Sequence, residues 1–216
     1  MRLFIFFIFI INLYANAIYD KTINILNNLK ETGYRHHNFI ITKDKIFVDC
    51  SGFVDYIVKS EYPSLYSKMK QLSNHSCRRV LAADYVEFFK NHTFNESQTI
   101  NFVKDIQKGD IIAYKLHNTY IQRRCKNGKI IYLTKCKRYY NHKCILRQNT
   151  GHVFIALDTP KKYKNYYLLK IADSTTFLHH NDSRTHSGVG YGYIILHDYY
   201  IKIHHKKIPL YIGRLK

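Results

Sequence analysis

The chain of 216 residues has no tryptophan, and only 15 acidic residues stand against 34 basic ones. The missing tryptophan, set beside twenty tyrosines, carries no functional information. The shortage of acid leaves a formal net charge of +19, which points to an anionic partner. No apolar run is long enough for a comfortable bilayer span, so stable membrane insertion is not expected. The glycines at Gly188, Gly190 and Gly192 precede a strand and do not open a helix, which excludes a dinucleotide fingerprint. The spacing of Cys125, Cys136 and Cys144 fits no zinc knuckle, even with His142 as a fourth ligand.

Residues 1–17 have the features of an export signal. Met1-Arg2 is a short charged start, Leu3 to Leu13 is apolar, and Ala15-Asn16-Ala17 offers small residues at signal-peptidase spacing. An uncleaved anchor is the alternative. The expected mature chain is a single domain, 18–216, working in a secreted or periplasmic setting. There the basic surface suits an anionic cell-surface polymer, not nucleic acid. Oxidising surroundings make bridges plausible among Cys77, Cys125, Cys136 and Cys144, and the three possible pairings stay open.

Asp49-Cys50-Ser51-Gly52-Phe53-Val54 follows the apolar run Ile46-Phe47-Val48. Phe53, Val54, Ile57 and Val58 make a helical stripe, with Asp49 as N-cap and Pro63 as the stop. Cys50 then falls in the first turn, where free N–H groups and the helix dipole favour an anion. A buried structural cysteine is the competing reading.

Other elements follow in order. Asp20 to Lys30 reads as an amphipathic helix ended by Gly33-Tyr34, and residues 64–76 as a polar stretch. Arg79 to Lys90 reads as a second helix, and Asn91 to Thr99 as loop. Lys108-Gly109-Asp110 is a turn before the strand Ile111 to Tyr114. Residues 117–150 are rich in Arg, Lys and Tyr and read as an inserted basic lobe. Within it Asn127-Gly128 suggests a hairpin turn.

Gly151 to Leu157 and Tyr166 to Asp173 read as an antiparallel pair turning near Thr159 to Lys162. Simple pairing about a centre between Lys162 and Tyr163 sets His152 opposite Asp173. Asp173 can then hold His152 in one tautomer, and a one-residue slip would part them. Cys50 as nucleophile, His152 as base and Asp173 as orienting group are what amide cleavage by a thiol needs. The chemistry requires no cofactor and no metal. His179, His180 and His186 read as exposed loop, with His179 or His180 as substitutes for Asp173. Arg184 is a candidate contact for an anionic substrate group. Gly188 to Gly192 reads as a tight loop, and the segment from Tyr199 to Ile212 as sheet edge.

These motifs resemble the NlpC family of cell-wall cysteine peptidases. The resemblance rests on Asp49-Cys50-Ser51-Gly52-Phe53-Val54, Gly109-Asp110-Ile111-Ile112 and Gly151-His152-Val153, and spans roughly Tyr34 to Asp173. It implies an α+β fold with a papain-like core, in which the nucleophile helix packs on an antiparallel sheet. It implies a thiol hydrolase acting on amide bonds of peptidoglycan stem peptides, with Asp49 and Ser51 binding the substrate amine and Tyr34 nearby. The aromatic-Gly-Gly stretch usual before the nucleophile is absent, and Asp173 stands where histidine is common. A monomer is the expected state. A secreted acyltransferase or deamidase, or a non-catalytic basic binding module, are the alternatives.

Overall fold

The computed structural model describes residues 17–74, 76, 78–116, 123–126, 129–132, 139–140, 143–144 and 151–216. The expected export signal, apart from Ala17, lies outside the described residues, as do Cys77, Cys136 and the side chains of Cys125 and Cys144.

The chain opens with helix α1 (residues 17–28) and a small sheet of β1 (Glu31–Tyr34), β2 (Ile40–Ile41) and β3 (Lys45–Val48). Gly33-Tyr34 therefore lies within a strand and does not simply end a helix. Helices α2 (Cys50–Glu61), α3 (Pro63–Leu72) and α4 (Ala82–Lys90) follow. The polar stretch after Pro63 is a helix. Pro63 takes its first turn, where a missing N–H costs nothing, and Leu65 and Met69, four apart, bury one face. Proline thus stops α2 by starting α3.

β4 (Ser97–Ile100) occupies part of the expected loop, and β5 (Ile111–Tyr114) matches the expected strand after Gly109, whose φ is 85°. In the 117–150 segment, β6 (Arg123–Lys126) pairs with β7 (Lys129–Tyr132), and β8 (Tyr139–Tyr140) with β9 (Lys143–Cys144). The Lys126↔Lys129 register agrees with a hairpin centred on Asn127-Gly128, two residues outside the described set. Then come β10 (His152–Ala156), β11 (Lys161–Tyr163), β12 (Tyr166–Thr175), β13 (Gly188–Leu196), β14 (Tyr200–Ile203), β15 (Lys206–Pro209) and β16 (Tyr211–Leu215).

The architecture is α+β. One seven-stranded sheet runs β12-β10-β5-β16-β4, with β13 on one edge of β12 and β11 continuing the other beside β10. Every pairing in it is antiparallel. Strand alternation sends Val153, Ile155, Ile111, Ala113 and Ala172 to one face, where they form a core with Phe53, Val54, Ile57 and Val58 of α2. Those four helix side chains are wholly buried, worth roughly 1.5–3 kcal/mol each relative to exposure. Phe154, Ala156, Ile171, Leu169 and Ile112 pack on the other face.

Two segments differ from the sequence reading. The C-terminal stretch holds the β14–β15 hairpin, but β16 is an interior strand between β5 and β4. Gly213 makes room there, since a Cβ on it would meet the Phe89 ring of α4 at 2.0 Å. Gly188 to Gly192 is no tight loop. It is the first half of β13, and Asp173↔Gly190 and Ile171↔Gly192 are register pairs. A Cβ on Gly190 would strike Arg184 at 2.4 Å, and one on Gly192 would strike His179 at 2.7 Å. Glycine at every second position keeps one strand face clear for the loop 176–187.

Candidate active site

Asp49 caps α2 as expected. Its carboxylate accepts from Gly52 N–H at 2.8 Å and from the Ser51 hydroxyl at 3.3 Å. Cys50 is the first helical residue and is free and buried. Its N–H belongs to the first turn, whose amides have no intrahelical acceptor. Gly52 lets Phe39 lie across that turn, because a Cβ there would meet the Phe39 ring at 2.5 Å.

His152 lies beside Cys50 and Asp173. The Cys50 thiol is within hydrogen-bond reach of the imidazole, and His152 Nε2–H donates to Asp173 Oδ2 at 2.7 Å. Nε2 being taken, Nδ1 is the nitrogen left for sulfur. Gly151, at φ +119°, delivers the chain into β10 at a point where any Cβ would meet Tyr114 O at 1.8 Å.

The register behind this meeting differs by two residues from the simple hairpin. Ile155 pairs with Ala172, so the β10–β12 centre lies between Tyr163 and Lys164. The strands turn at residues 164–165, later than Thr159 to Lys162, and β11 continues the pairing. Extending the register puts Thr175, not Asp173, opposite His152. The displacement is two residues, so parity is kept and Asp173 remains on the face of His152. A diagonal neighbour on one face is within reach of a long side chain.

Electrostatics favours a charged imidazole. Burial works against it, but the Cys50 sulfur and the Asp173 carboxylate outweigh burial and hold the His152 pKa at about 10. Asp173 is 0 % exposed. Burial alone would raise its carboxyl, yet hydrogen bonds from His152 and His179, and their charge, hold it well below the usual carboxylate range.

Tyr34 is brought close by the parallel β1–β3 pairing, in which it stands beside Val48, just ahead of the cap. Burial, then the sulfur and Asp49, push its hydroxyl above the ordinary tyrosine range, so it stays an O–H donor. Tyr114 does the same from β5, and the sequence reading missed it. It is the register partner of His152, with ring centroids 5.9 Å apart, and burial, Cys50 and Asp173 raise its hydroxyl. Only the pairing of β5 with β10, a long-range contact, singles it out.

Asp49 and Ser51 are already engaged within the chain. Arg79 Nη1 donates to Asp49 Oδ1 at 3.0 Å and to the Ser51 hydroxyl, and Nη2 donates to Asp49 Oδ2. His36 Nδ1 lies 3.4 Å from Asp49 Oδ2. Burial would raise the Asp49 carboxyl, but His36, Arg79 and the Gly52 N–H outweigh it and keep it low. Arg79 precedes α4, and the sequence reading placed it inside that helix.

Arg184 is not a free contact for substrate. Its guanidinium is 2 % exposed and donates to Asp173 Oδ1 at 2.9 Å, to Gly188 O at 2.7 Å and to Asp182. His179 is likewise no loose loop residue, because its Nε2–H donates to Asp173 Oδ2 at 2.9 Å. His180 and His186 are exposed, and His186 Nε2 donates to Thr32 O at 3.1 Å. Among the described residues no group of His, Cys, Asp and Glu is arranged to hold a metal ion. Nor is any helix among them long and apolar enough to cross a membrane.

Behind Cys50, Asp55 of α2 is buried and accepts from Tyr85 at 2.9 Å and Tyr66 at 3.0 Å. Burial pushes its carboxyl up to about 8, against the lowering effect of Arg79 and the two hydroxyls. The folded protein thus keeps a proton that the unfolded chain releases near pH 4. The stability this proton contributes is present at low pH and is lost as pH rises from about 4 to about 8. Asp55→Asn, which cannot ionise, is expected to lose less stability than wild type between pH 5 and pH 9 in parallel urea titrations. Parallel curves for the two proteins would contradict a protonated Asp55.

No family model, curated protein or solved structure matches the chain.

Proposed function

We propose that the protein is an exported cysteine hydrolase of NlpC type, with a papain-like core, cleaving amide bonds in peptidoglycan stem peptides. The observation that carries the reading is the line Cys50–His152–Asp173 at a helix start, with the imidazole shared between sulfur and a buried carboxylate. Cys50 Sγ attacks the scissile carbonyl carbon, and His152 holds the proton that the sulfur gives up. His152 then donates it to the departing amine, leaving an acyl thioester on Cys50. Water, deprotonated by His152, attacks the thioester and restores the thiol. The Cys50 N–H, with O–H donors from Tyr34 and Tyr114 near the sulfur, stabilises the oxyanion. Asp173 keeps Nε2–H directed away from the reacting atoms.

The substrate class rests on the motif resemblance together with the net charge of +19, which draws a basic protein to an anionic wall polymer. Purified sacculi incubated with the protein are expected to release fragments with new stem-peptide termini by mass spectrometry, and Cys50→Ala none. Unchanged sacculi, or equal release by Cys50→Ala, would overturn the reading. A product carrying a transferred acyl group in place of a free carboxylate would identify an acyltransferase instead.

A further inference from the structure

We propose that His179 is a positioning residue for the Cys50–His152 pair, acting through Asp173, so that the working unit has four members and not three. This rests on the cysteine-hydrolase reading above.

The geometry is convergent. Oδ2 of Asp173 accepts from His152 Nε2 at 2.7 Å and from His179 Nε2 at 2.9 Å. Oδ1 accepts from Arg184 Nη1 at 2.9 Å. The carboxylate is fully buried, so these donors take the place of solvent in deciding how its plane lies. Two donors on one oxygen divide its lone-pair directions between them. The direction left to His152 is therefore set by where His179 sits.

His179 is itself held in place. Its backbone N–H donates to Asp182 Oδ2 at 2.8 Å, and Asp182 Oδ1 binds Arg184 Nε at 2.7 Å. The loop also bonds along β13, through Ser183 N–H to Tyr191 O at 2.8 Å and the His180↔Tyr193 bridge. The absence of side chains at Gly190 and Gly192 lets Arg184 and His179 lie against the strand. A loop with four anchoring contacts and a cleared strand face is built to present His179 to Asp173, not merely to connect β12 with β13.

The charged and titratable groups around the pair come from several elements. His152 is faced by Cys50 of α2, Asp173 of β12 and Tyr114 of β5. Asp173 is faced by His152, by His179 and Arg184 of the loop, and by Tyr34 of β1 and Tyr114. Of these only His152, His179 and Arg184 donate hydrogen bonds to the carboxylate.

The test uses the reactivity of Cys50 and needs no substrate. The full chain is alkylated with iodoacetamide from pH 5 to pH 11, and modification of Cys50 is followed by mass spectrometry. Wild type is expected to show an upper step near pH 10, as His152 gives up its proton. In His179→Ala that step moves by about one unit, because the direction in which Asp173 Oδ2 meets the imidazole is no longer fixed by a second donor. His179→Gln, whose amide N–H can still reach Oδ2, restores the wild-type profile. A His179→Ala profile superimposed on wild type, or a Gln variant as displaced as the Ala variant, would overturn the proposal. If His179→Ala does not melt cooperatively, Gly192→Ala replaces it. That change displaces His179 without removing it and should move the step likewise, and an unmoved step would again overturn the proposal. A wild-type Cys50 that reacts no faster than in the denatured chain would sink the hydrolase reading itself. Fast reaction indifferent to His179 would sink only the positioning role.

Discussion

Cys50→Ala is expected to lower amide hydrolysis by at least about 10⁴-fold, His152→Ala by nearly as much, and the double variant by no more than the worse single change. The non-additivity follows from the wiring. Sulfur and imidazole exchange one proton, so removing either partner removes the step. Both variants should remain folded, since each change trims one side chain at the end of an element. Asp173→Asn is a poorer test, because Asp173 also holds Arg184 and His179. The wild-type rate should fall as pH rises through about 10, where His152 can no longer protonate the leaving amine. The stability linked to His152 has the same sign. Its folded value lies above the ordinary 6.5, so the contribution is whole below pH 6.5 and is lost as pH climbs through about 10. A flat rate profile across pH 9–11 would separate the imidazole from catalysis.

Arg79→Ala is expected to destabilise the fold by about 3–5 kcal/mol. In a chain of this size that is a fall in melting temperature of about 10 °C. Asp49 is 4 % exposed and receives both arms of the Arg79 fork. Without the guanidinium a buried carboxylate keeps only the Gly52 N–H, the Ser51 hydroxyl and His36. The remedy open to it is protonation, so the deficit should shrink as pH falls from 7 towards 4. Arg79→Lys should recover part of the loss, since an ammonium brings charge without the two-pronged geometry. Melts at pH 7 and pH 4 measure both effects. A loss under about 1 kcal/mol would mean that solvent already screens the pair.

The parts of the site written in short-range chemistry were legible in the sequence. Asp49 before Cys50 at an apolar helical stripe gives a capped helix with the cysteine in its first turn, and the structure has one. His152 and Asp173 were legible for a less obvious reason. Their meeting depends on strand parity, and parity survived a two-residue displacement of the register. What long-range pairing decides was not legible. Tyr211-Ile212, which opens β16, reads as an edge and becomes interior because β5 and β4 pair with it. α3 was hidden by its polarity, for only Leu65 and Met69 are buried. The glycines of β13 were misread as a turn. Their spacing of two was the clue, since a turn has no need of that period and a strand pressed by a neighbour does.

Three successive residues of β12 do unlike jobs. Ala172 packs with α2, Asp173 holds the imidazole on the opposite face, and Ser174 donates to Val48 O at 2.7 Å, tying down the residue before the helix cap. Insertion or deletion of a single residue anywhere in this strand would hand each job to the wrong side chain at once. Length variation among related chains should therefore be barred from β12, because its spacing cannot slip without parting the carboxylate from the imidazole.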